Sequence, residues 1–410
     1  MGSLPIHSRS RFNPPRVLCL SNGHGEDEVA SRIALALVQL GIQVRALPIV
    51  GEGKAYLRQG IPILATPQVM PSGGFIYQDW RQLWQDVRGG LLGLTGRQLA
   101  VIRKEAPQMD LMLAVGDIVP LLMAWWSGIP YGFVGTAKSD YYWRDEAGPY
   151  RPSRIPFVEP VSDYLPWERW LMGRERCRGS FLRDELTATA LQKRGLKAFY
   201  LGNPMMDGLE SPTQLPLDPE RPALLLLPGS RPPEAYRNWA LMMEVVQKIP
   251  PEIQVYAALS PNLEPAQLQA RIPPQRRDIP LIWGDFGACV QRATVVLAMA
   301  GTATEQCVGL GKPVITLPGE GPQFTPRFAE AQTRLLGSAI HLTVVQQAPA
   351  ILQQLLERLA TDPTYKAHLQ AHGRQRMGSP GAAQRIATQM QVWLSPGGSD
   401  PILRPPEQGI

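Results

Sequence analysis

The sequence predicts an α/β protein with two parallel sheets, each covered by helices on both faces. Short apolar runs alternate with helical segments along most of the chain, as expected for strands buried on both faces. The length of 410 residues favours two domains over one. A polar, proline-rich stretch at 211–222 separates two such series. We therefore expect two Rossmann-like, doubly wound domains that face each other across a cleft.

The first half opens with a strand, a glycine-containing loop, a helix and a second strand. The apolar strand at 16–21 precedes the sequence NGHGEDE, a helix over 29–41 and a strand over 44–51. The glycines stand where a Rossmann-like unit makes its first turn. Three further apolar strands of this half are predicted within 109–117, 129–136 and 198–204.

The second half repeats the alternation after the linker, with strands predicted within 223–234, 253–260, 279–285, 294–301 and 312–319. We therefore predict an N-terminal domain over 12–210 and a C-terminal domain over 211–380. A last helix at 381–395 is expected to cross back to the N-terminal domain. The polar tail at 396–410 is expected to be disordered.

Composition narrows the classes of ligand and partner. The chain has 41 Lys and Arg against 35 Asp and Glu, a net charge of +6. This mild excess suits a phosphorylated ligand or an anionic membrane surface and does not indicate a nucleic-acid partner. Four scattered cysteines and five histidines without metal-ligand spacing predict neither disulfides nor a metal site. Without a signal sequence or spanning segment, we expect a cytoplasmic protein.

The loop Gly229-Ser230-Arg231 follows a run of four leucines and precedes a helix. Gly229 allows the backbone to approach a ligand, Ser230 can donate a hydrogen bond, and Arg231 offers a planar fork for phosphate oxygens. The alternative is an ordinary strand-to-helix turn with a surface arginine.

A second turn, Gly301-Thr302-Ala303-Thr304-Glu305, stands at the predicted start of a helix. Free N–H groups and the helix dipole favour an anion there, so a diphosphate would bind the backbone and both threonine hydroxyls. Glu305 would accept from a sugar or ribose hydroxyl. The alternative is a capping box between Thr302 and Glu305.

A third loop, Gly321–Phe324, follows the next strand, and its Gln323 is accompanied by Gln332 in the helix that follows. The carboxyl ends of parallel strands meet at one edge of a sheet, which is where ligands bind in open α/β sheets. The three loops are therefore expected to converge on one anionic ligand.

The order PGSRxxE, GTATxE and a Gly-Pro-Gln loop resembles the C-terminal half of lipid-A-disaccharide synthase, and most of all its mainly cyanobacterial related family. These are inverting GT-B glycosyltransferases that use UDP-sugars. The resemblance implies a GT-B fold, a UDP-sugar as substrate without a cofactor, and a nucleotide-sugar site in the C-terminal domain. It assigns the donor to Gly229, Ser230, Arg231, Gly301, Thr302, Ala303, Thr304, Glu305, Gln323 and Gln332. In such folds the loop with Asp285 and Phe286 contacts the base.

The acceptor half departs from the synthase pattern in its first loop and around Gly116-Asp117, which leaves the acceptor open. Asp117 ends an apolar strand and, by the resemblance, corresponds to the proposed catalytic aspartate; the alternative is a helix cap. His24, between Gly23 and Gly25, is the rival base, because MurG-type glycosyltransferases also place a histidine there. Glu26 could orient it. The choice between Asp117 and His24 stays open.

A basic, tryptophan-containing segment at 80–104 is predicted to contact a membrane surface through Trp80, Arg81, Trp84 and Arg88. The alternative is a helix packed on the first sheet. Trp125, Trp126, Trp167 and Trp170 would either extend this surface or belong to the core. A protein of this kind would bind peripherally to the cytoplasmic face of a membrane.

The leading hypothesis is a metal-independent, inverting glycosyltransferase that moves an N-acetylglucosamine-type sugar from a UDP-sugar to a lipid-linked acceptor. Two alternatives remain. A UDP-N-acetylglucosamine 2-epimerase would use a similar C-terminal cleft on a soluble substrate. A non-catalytic protein would bind the nucleotide sugar without turning it over.

Overall fold

The computed structural model describes residues 14–64, 91–150 and 162–395. In this part of the chain, twelve strands form two six-stranded parallel sheets, and two short strands form a hairpin. The prediction of two Rossmann-like, doubly wound sheets facing a cleft is therefore confirmed. The first sheet lies within 16–199 and the second within 223–342.

The first sheet has the order β2-β1-β3-β4-β7-β8. Its half of the chain contains β1 (Arg16–Ser21), α1 (His24–Gln39), β2 (Gln43–Pro48), α2 (Lys54–Arg58), α3 (Leu91–Glu105), β3 (Leu111–Gly116), α4 (Ile118–Trp126), β4 (Tyr131–Gly135), β5 (Arg144–Asp145), β6 (Gly148–Pro149), α5 (Pro166–Met172), β7 (Cys177–Leu182), α6 (Glu185–Gln192) and β8 (Ala198–Phe199). Alternate residues of β1 enter two different cores, Val17 on one face and Leu18 on the other. Burial on both faces explains its continuous apolar sequence.

Two local expectations for this half are wrong. The helix α1 begins at His24 and not at Val29, so most of NGHGEDE is helical. Glu26 and Asp27 occupy its first turn, where the helix dipole favours negative charge. The strand expected within 198–204 covers only Ala198–Phe199, and β7 was not predicted, because Arg178 and Ser180 interrupt its apolar pattern.

The second sheet has the order β11-β10-β9-β12-β13-β14, the strand order of a Rossmann sheet. Its elements are β9 (Ala223–Leu227), α7 (Glu234–Val246), β10 (Gln254–Leu259), α8 (Pro265–Gln269), β11 (Leu281–Trp283), α9 (Phe286–Arg292), β12 (Val295–Ala298), α10 (Thr302–Gly309), β13 (Val314–Thr316), α11 (Pro326–Leu336), β14 (Ile340–Leu342), α12 (Ala348–Thr361) and α13 (Pro363–Met377). All five residues of β9 are buried at the centre of this sheet.

The final helix, α14 (Ala382–Leu394), packs in the core of the first half, although it follows the second half in sequence. Its Trp393 stacks on Phe181 at a ring distance of 5.2 Å. Gly132 and Gly179 leave room for this ring, since a Cβ at either position would lie within 3.0 Å of it. The chain therefore crosses between the halves twice.

Candidate active site in the cleft between the two sheets

Each sheet reverses its strand order beside its first strand, which is where open α/β sheets bind ligands. In the first sheet β1 stands between β2 and β3, and in the second β9 stands between β10 and β12. The loops after β3, β9 and β12 carry Asp117, Arg231 and Gly301 respectively, and His24 begins α1 directly after the loop that follows β1. The sheet topology thus gathers the predicted residues at two crevices.

The two crevices meet across the cleft. A Cβ at Gly25, in the first turn of α1, would lie 3.9 Å from the Thr302 hydroxyl at the start of α10. The negative charge of Glu26, on the opposite side of the cleft, acts to raise the pKa of Arg231. The starts of α1 and α10 therefore face one another.

In the loop after β9, Gly229 has a φ of 99°, in the left-handed region that favours glycine. A Cβ there would also lie 3.2 Å from the Met299 carbonyl oxygen. Ser230 is exposed and Arg231 is half-buried. Burial lowers the pKa of Arg231, while the charges of Glu26 and Glu234 act in the opposite direction.

The helix α10 has Gly301 as its N-cap, without a side-chain cap, so the capping-box alternative for Thr302 is wrong. Thr302 is exposed and Ala303 half-buried. The Thr304 hydroxyl instead donates to the Ala300 carbonyl oxygen at 2.6 Å. The Gln332 amide donates to the Ala300 and Gly301 carbonyl oxygens at 3.1 and 3.3 Å. Thr304 and Gln332 therefore hold the turn, and Thr302 and Ala303 present it to the cleft.

Glu305 forms a buried ion pair with Arg183, which lies in the loop after β7. The Arg183 Nη2 and Glu305 Oε2 atoms are 2.8 Å apart, and the two side chains are 5% and 9% exposed. Arg183 also donates to the Thr136 carbonyl oxygen at 2.9 Å. Burial would lower the pKa of Arg183, but the Glu305 carboxylate reverses the effect and raises it. Arg183 was missed because its strand, β7, was missed.

The loop containing Gln323 is bound by the last residue of the PGSRPPE motif. The Glu234 carboxylate, buried in the first turn of α7, accepts the N–H groups of Gln323 and Phe324 at 3.2 and 2.5 Å. This contact joins the loop after β13 to the loop after β9. The loops that carry Gly229–Arg231 and Gln323 are thus held together by hydrogen bonds, while their convergence with the Gly301 turn on one anionic ligand stays a prediction.

The expected base-contact loop borders a cavity of about 480 Å³, within the range of small-molecule sites. Asp285 caps α9 by accepting the Ala288 N–H at 2.9 Å, and the Ser211 hydroxyl donates to its other oxygen at 2.6 Å. Hydrogen bonds from Ser211, Thr213 and Ala288 lower its pKa. Asp285 therefore shapes the loop, and it lines the cavity together with Phe286 and Thr302.

Asp117 caps α4, accepting the Val119 N–H at 2.8 Å, so its alternative role as a cap is real. Burial raises the pKa of Asp117 to about 6; the Val119 N–H and the Asn22 amide lower it, and the Glu26 charge raises it. Asn22 was not predicted. Its Oδ1 is buried without a hydrogen-bond partner, and a Cβ at Gly116 would lie 2.0 Å from it.

The predicted residues at the start of α1 lie in two directions. Gly23 is the N-cap of α1, and Glu26 accepts from the Thr136 hydroxyl at 3.3 Å, on the side of Asp117. The exposed His24 ring lies beside Gly51, after β2, since a Cβ there would lie 3.6 Å from its Cε1. Glu26 therefore lies on the side of β3 and Asp117, and His24 lies on the side of β2.

Trp80, Arg81, Trp84 and Arg88 lie outside the described residues. Within those residues, α4 and α5 meet through the Trp125 and Trp170 rings, 5.4 Å apart, and expose a largely aromatic surface, here called the aromatic surface, made of Leu122, Trp125, Trp126, Trp167 and Trp170. Trp167 and Trp170 are 54% and 47% exposed. Arg103 lies over the Trp126 ring at 4.3 Å and Arg174 over the Trp170 ring at 4.2 Å. No helix in the described ranges is both long and apolar enough to cross a membrane.

Comparison with protein-family models found no match for this chain. Among curated proteins, it is 25% identical over 136 residues to lipid-A-disaccharide synthase 1 of Legionella pneumophila, a match covering 31% of this chain and 35% of that protein. It is also 25% identical over 288 residues to lipid-A-disaccharide synthase of Solibacter usitatus, covering 61% and 74% of the two chains. The chain thus spans about a third of the Legionella relative's length.

Three solved structures share the architecture over nearly the whole chain. A putative UDP-N-acetylglucosamine 2-epimerase from Listeria monocytogenes has a TM-score of 0.61 and 17% identity, covering 95% of this chain and 98% of that chain. The calicheamicin glycosyltransferase CalG4 has a TM-score of 0.60 and 16% identity, covering 93% of this chain and 99% of that chain. The S. aureus MnaA–UDP co-structure has a TM-score of 0.58 and 15% identity, covering 93% of this chain and 97% of that chain. The chain therefore has the GT-B fold that glycosyltransferases and epimerases share.

Proposed function

We propose that this protein is an inverting glycosyltransferase that moves an N-acetylglucosamine-type sugar from a UDP-sugar to a lipid-linked acceptor, in the manner of lipid-A-disaccharide synthase. The carrying observation is the opposition of two crevices. One presents Gly229–Arg231 and the start of α10, and the other presents the Asp117 carboxylate. The sequence similarity to lipid-A-disaccharide synthases supports the same reaction class.

The C-terminal crevice is suited to a nucleoside diphosphate. The start of α10 offers N–H groups and the positive end of a helix dipole, and Arg231 adds a charge that can bind two phosphate oxygens. The adjoining cavity leads from Thr302 to Phe286 and would hold the nucleoside. The UDP in the MnaA co-structure supports a uridine nucleotide.

In the proposed mechanism, the Asp117 carboxylate takes the proton of the acceptor hydroxyl. The acceptor oxygen then forms a bond to the anomeric carbon from the face opposite the diphosphate. The bond between that carbon and the diphosphate oxygen breaks, and UDP leaves with the charge stabilised by Arg231 and α10. We favour Asp117 over His24 as the base because Asp117 lies near Glu26, whose charge also acts to raise the pKa of Arg231 on the donor side. The His24 ring lies instead beside Gly51.

The aromatic surface supports peripheral binding to an anionic membrane. Exposed tryptophans suit the headgroup region, and Arg103 and Arg174 place positive charge beside them. The surface includes the C-terminal end of α4, the helix that Asp117 caps at its other end, so a bound membrane would lie about 12 Å along that helix from Asp117. A lipid-linked acceptor could then enter without leaving the bilayer surface.

The first experiment is thermal unfolding of the purified protein with UDP, GDP, ADP and a panel of UDP-sugars. A ligand that binds only the folded state raises the melting temperature. At one hundred times its Kd it adds about 2.7 kcal/mol to the free energy of unfolding. We expect a shift for uridine nucleotides that is lost in Arg231→Ala and Gly301→Trp. A folded wild-type protein that shifts with no nucleotide contradicts the proposal.

Product analysis then separates the reaction classes. The protein is incubated with UDP-N-acetylglucosamine, with and without lipid, and the nucleotide sugar is analysed by chromatography. UDP release that depends on lipid supports transfer. An epimerised UDP-sugar formed without an acceptor would establish the epimerase alternative, and tight binding without any turnover would establish the non-catalytic one.

Membrane contact is tested by co-sedimentation with vesicles of phosphatidylcholine, with and without phosphatidylglycerol. We expect binding that requires the anionic lipid, weakens with salt and is reduced in the Trp167→Ala/Trp170→Ala variant. Equal binding of the variant and the wild type would exclude the aromatic surface as the contact.

A further inference from the structure

We infer that the donor nucleotide is held by both halves of the protein, with Glu28 of α1 accepting a hydrogen bond from a ribose hydroxyl. This inference rests on the proposed function and identifies a residue that sequence analysis did not single out. It concerns the cavity of about 480 Å³ beside the base-contact loop.

One wall of this cavity is a single face of α1. Gly25, Glu28, Val29 and Arg32 line it, at the spacing of successive turns of one helix face. The opposite wall is formed by Gly284–Gly287 together with Thr302 and Gln306 of α10. A ligand that fills the cavity therefore contacts both halves of the chain.

The position of Glu28 along α1 corresponds to the ribose. Gly25 faces Thr302, where the diphosphate is proposed to bind. At a helical rise of 1.5 Å per residue, Glu28 lies about 4.5 Å further along the axis. Moving from the diphosphate towards the base, the next group of a nucleotide is its ribose. Glu28 thus stands between the phosphate end and the base end of the cavity.

The Glu28 carboxylate is oriented and remains accessible. Arg58, at the end of α2, forms an ion pair with its Oε1 atom, and the Glu28 side chain is 44% exposed. One carboxylate oxygen bound by an arginine leaves the other able to accept a hydroxyl donor. Glu28 would thus act like the acidic residue that binds ribose hydroxyls in dinucleotide-binding sheets. Here the carboxylate belongs to the N-terminal half, whereas the diphosphate is proposed to bind to the C-terminal half.

The other carboxylates nearby are placed differently. Glu305, the residue expected to bind a hydroxyl, is paired with Arg183 and does not line the cavity. Asp285 lines the cavity, but its two oxygens already accept from the Ala288 N–H and the Ser211 hydroxyl. Glu210 lines the cavity at the base end, next to Leu209, whose carbonyl oxygen approaches Gly287. Glu28 is therefore the carboxylate best placed for the ribose.

The test is isothermal titration of wild type and Glu28→Ala with UDP, 2′-deoxy-UDP and 3′-deoxy-UDP. A hydrogen bond to a charged group contributes enough for wild type to bind at least one deoxy analogue about tenfold more weakly than UDP. Glu28→Ala should bind UDP and that analogue equally, and Arg58→Ala should lose part of the difference. Circular dichroism checks that the variants are folded.

Two carboxylate variants serve as matched controls. Glu210→Ala removes an acid from the base end of the same cavity, and Glu52→Ala removes one outside it; both should keep the wild-type discrimination. If Glu28→Ala also keeps it, or if wild type binds UDP and both analogues equally, the role of Glu28 is excluded while the UDP site stands. Absence of UDP binding to folded wild type instead overturns the proposed function and this inference with it.

Discussion

The Asp117 carboxylate combines two roles that its position makes compatible. One oxygen accepts the Val119 N–H and thereby starts α4, which fixes the direction of the side chain. Burial meanwhile raises its pKa to about 6, which brings it closer to the value that suits a general base near neutrality. A helix cap and a proton acceptor are therefore not exclusive alternatives here.

Replacement of Asp117 by Asn should lower the rate of transfer by about 10²–10⁴-fold, the usual contribution of a general base. The N-cap is retained, because an asparagine side-chain oxygen can also accept the Val119 N–H. For wild type, kcat/KM should fall as the pH drops below about 6, since the protonated carboxyl cannot accept a proton. UDP release measured across pH 5–8 checks both statements.

The control for this prediction is UDP affinity, which should be the same in wild type and Asp117→Asn. A variant at His24, His24→Asn, should retain the fall in rate below pH 6. Loss of that fall in His24→Asn, together with an active Asp117→Asn enzyme, would transfer the role of base to His24.

The elements show where a linear pattern predicts well and where it does not. Strands such as β9 are buried on both faces, so their apolar runs identify them directly. The strand β7 carries exposed Arg178 and buried Ser180, which breaks that pattern. Because β7 was not predicted, the loop that follows it and its Arg183 were not predicted either.

The last helix, α14, packs in the core of the first half, and replacement of its Trp393 measures how much it stabilises that half. The ring stacks on Phe181 and fills space left by Gly132 and Gly179, so Trp393→Ala should leave a cavity and cost about 3–5 kcal/mol. We expect thermal unfolding to show an earlier transition of the N-terminal half.

Trp167→Ala is the matched control, because that ring is exposed and its loss leaves no buried cavity. Its melting temperature should stay close to that of wild type. An unchanged melting temperature for Trp393→Ala would mean that α14 contributes little to the first core.

The two halves are joined by polar contacts. Arg334 of α11 donates to the Tyr142 carbonyl oxygen at 3.0 Å, and Arg183 pairs with Glu305. The second contact is the more consequential, because both charges are buried. Removing one partner would leave the other without compensation, unless the cleft opened to hydrate it.

We therefore expect Arg183→Ala and Glu305→Ala each to destabilise the protein by about 3–5 kcal/mol, and the double variant by much less than the sum. Chemical denaturation measures the coupling, and small-angle X-ray scattering tests whether a single variant opens the cleft. Additive single-variant effects would show that the two charges stabilise the molecule independently.

The contiguous loops of the C-terminal half could be identified from sequence, because PGSR, GTATE and the Gly-Pro-Gln loop each follow a readable strand. Short-range physics is sufficient for such motifs, since backbone N–H groups, glycine and arginine are placed by the turn itself. The alternation of apolar and helical segments likewise predicted both parallel sheets, because burial on both faces leaves a periodic signal.

Other features depend on contacts between residues far apart in the chain, which leave no local pattern. The pairing of Glu305 with Arg183, the contact of Glu234 with the Gln323 loop and the position of Glu28 in the cavity are of this kind. The side to which His24 turns is another. Each is set by how the sheets and helices pack, because a charged side chain takes whichever partner the fold brings within reach.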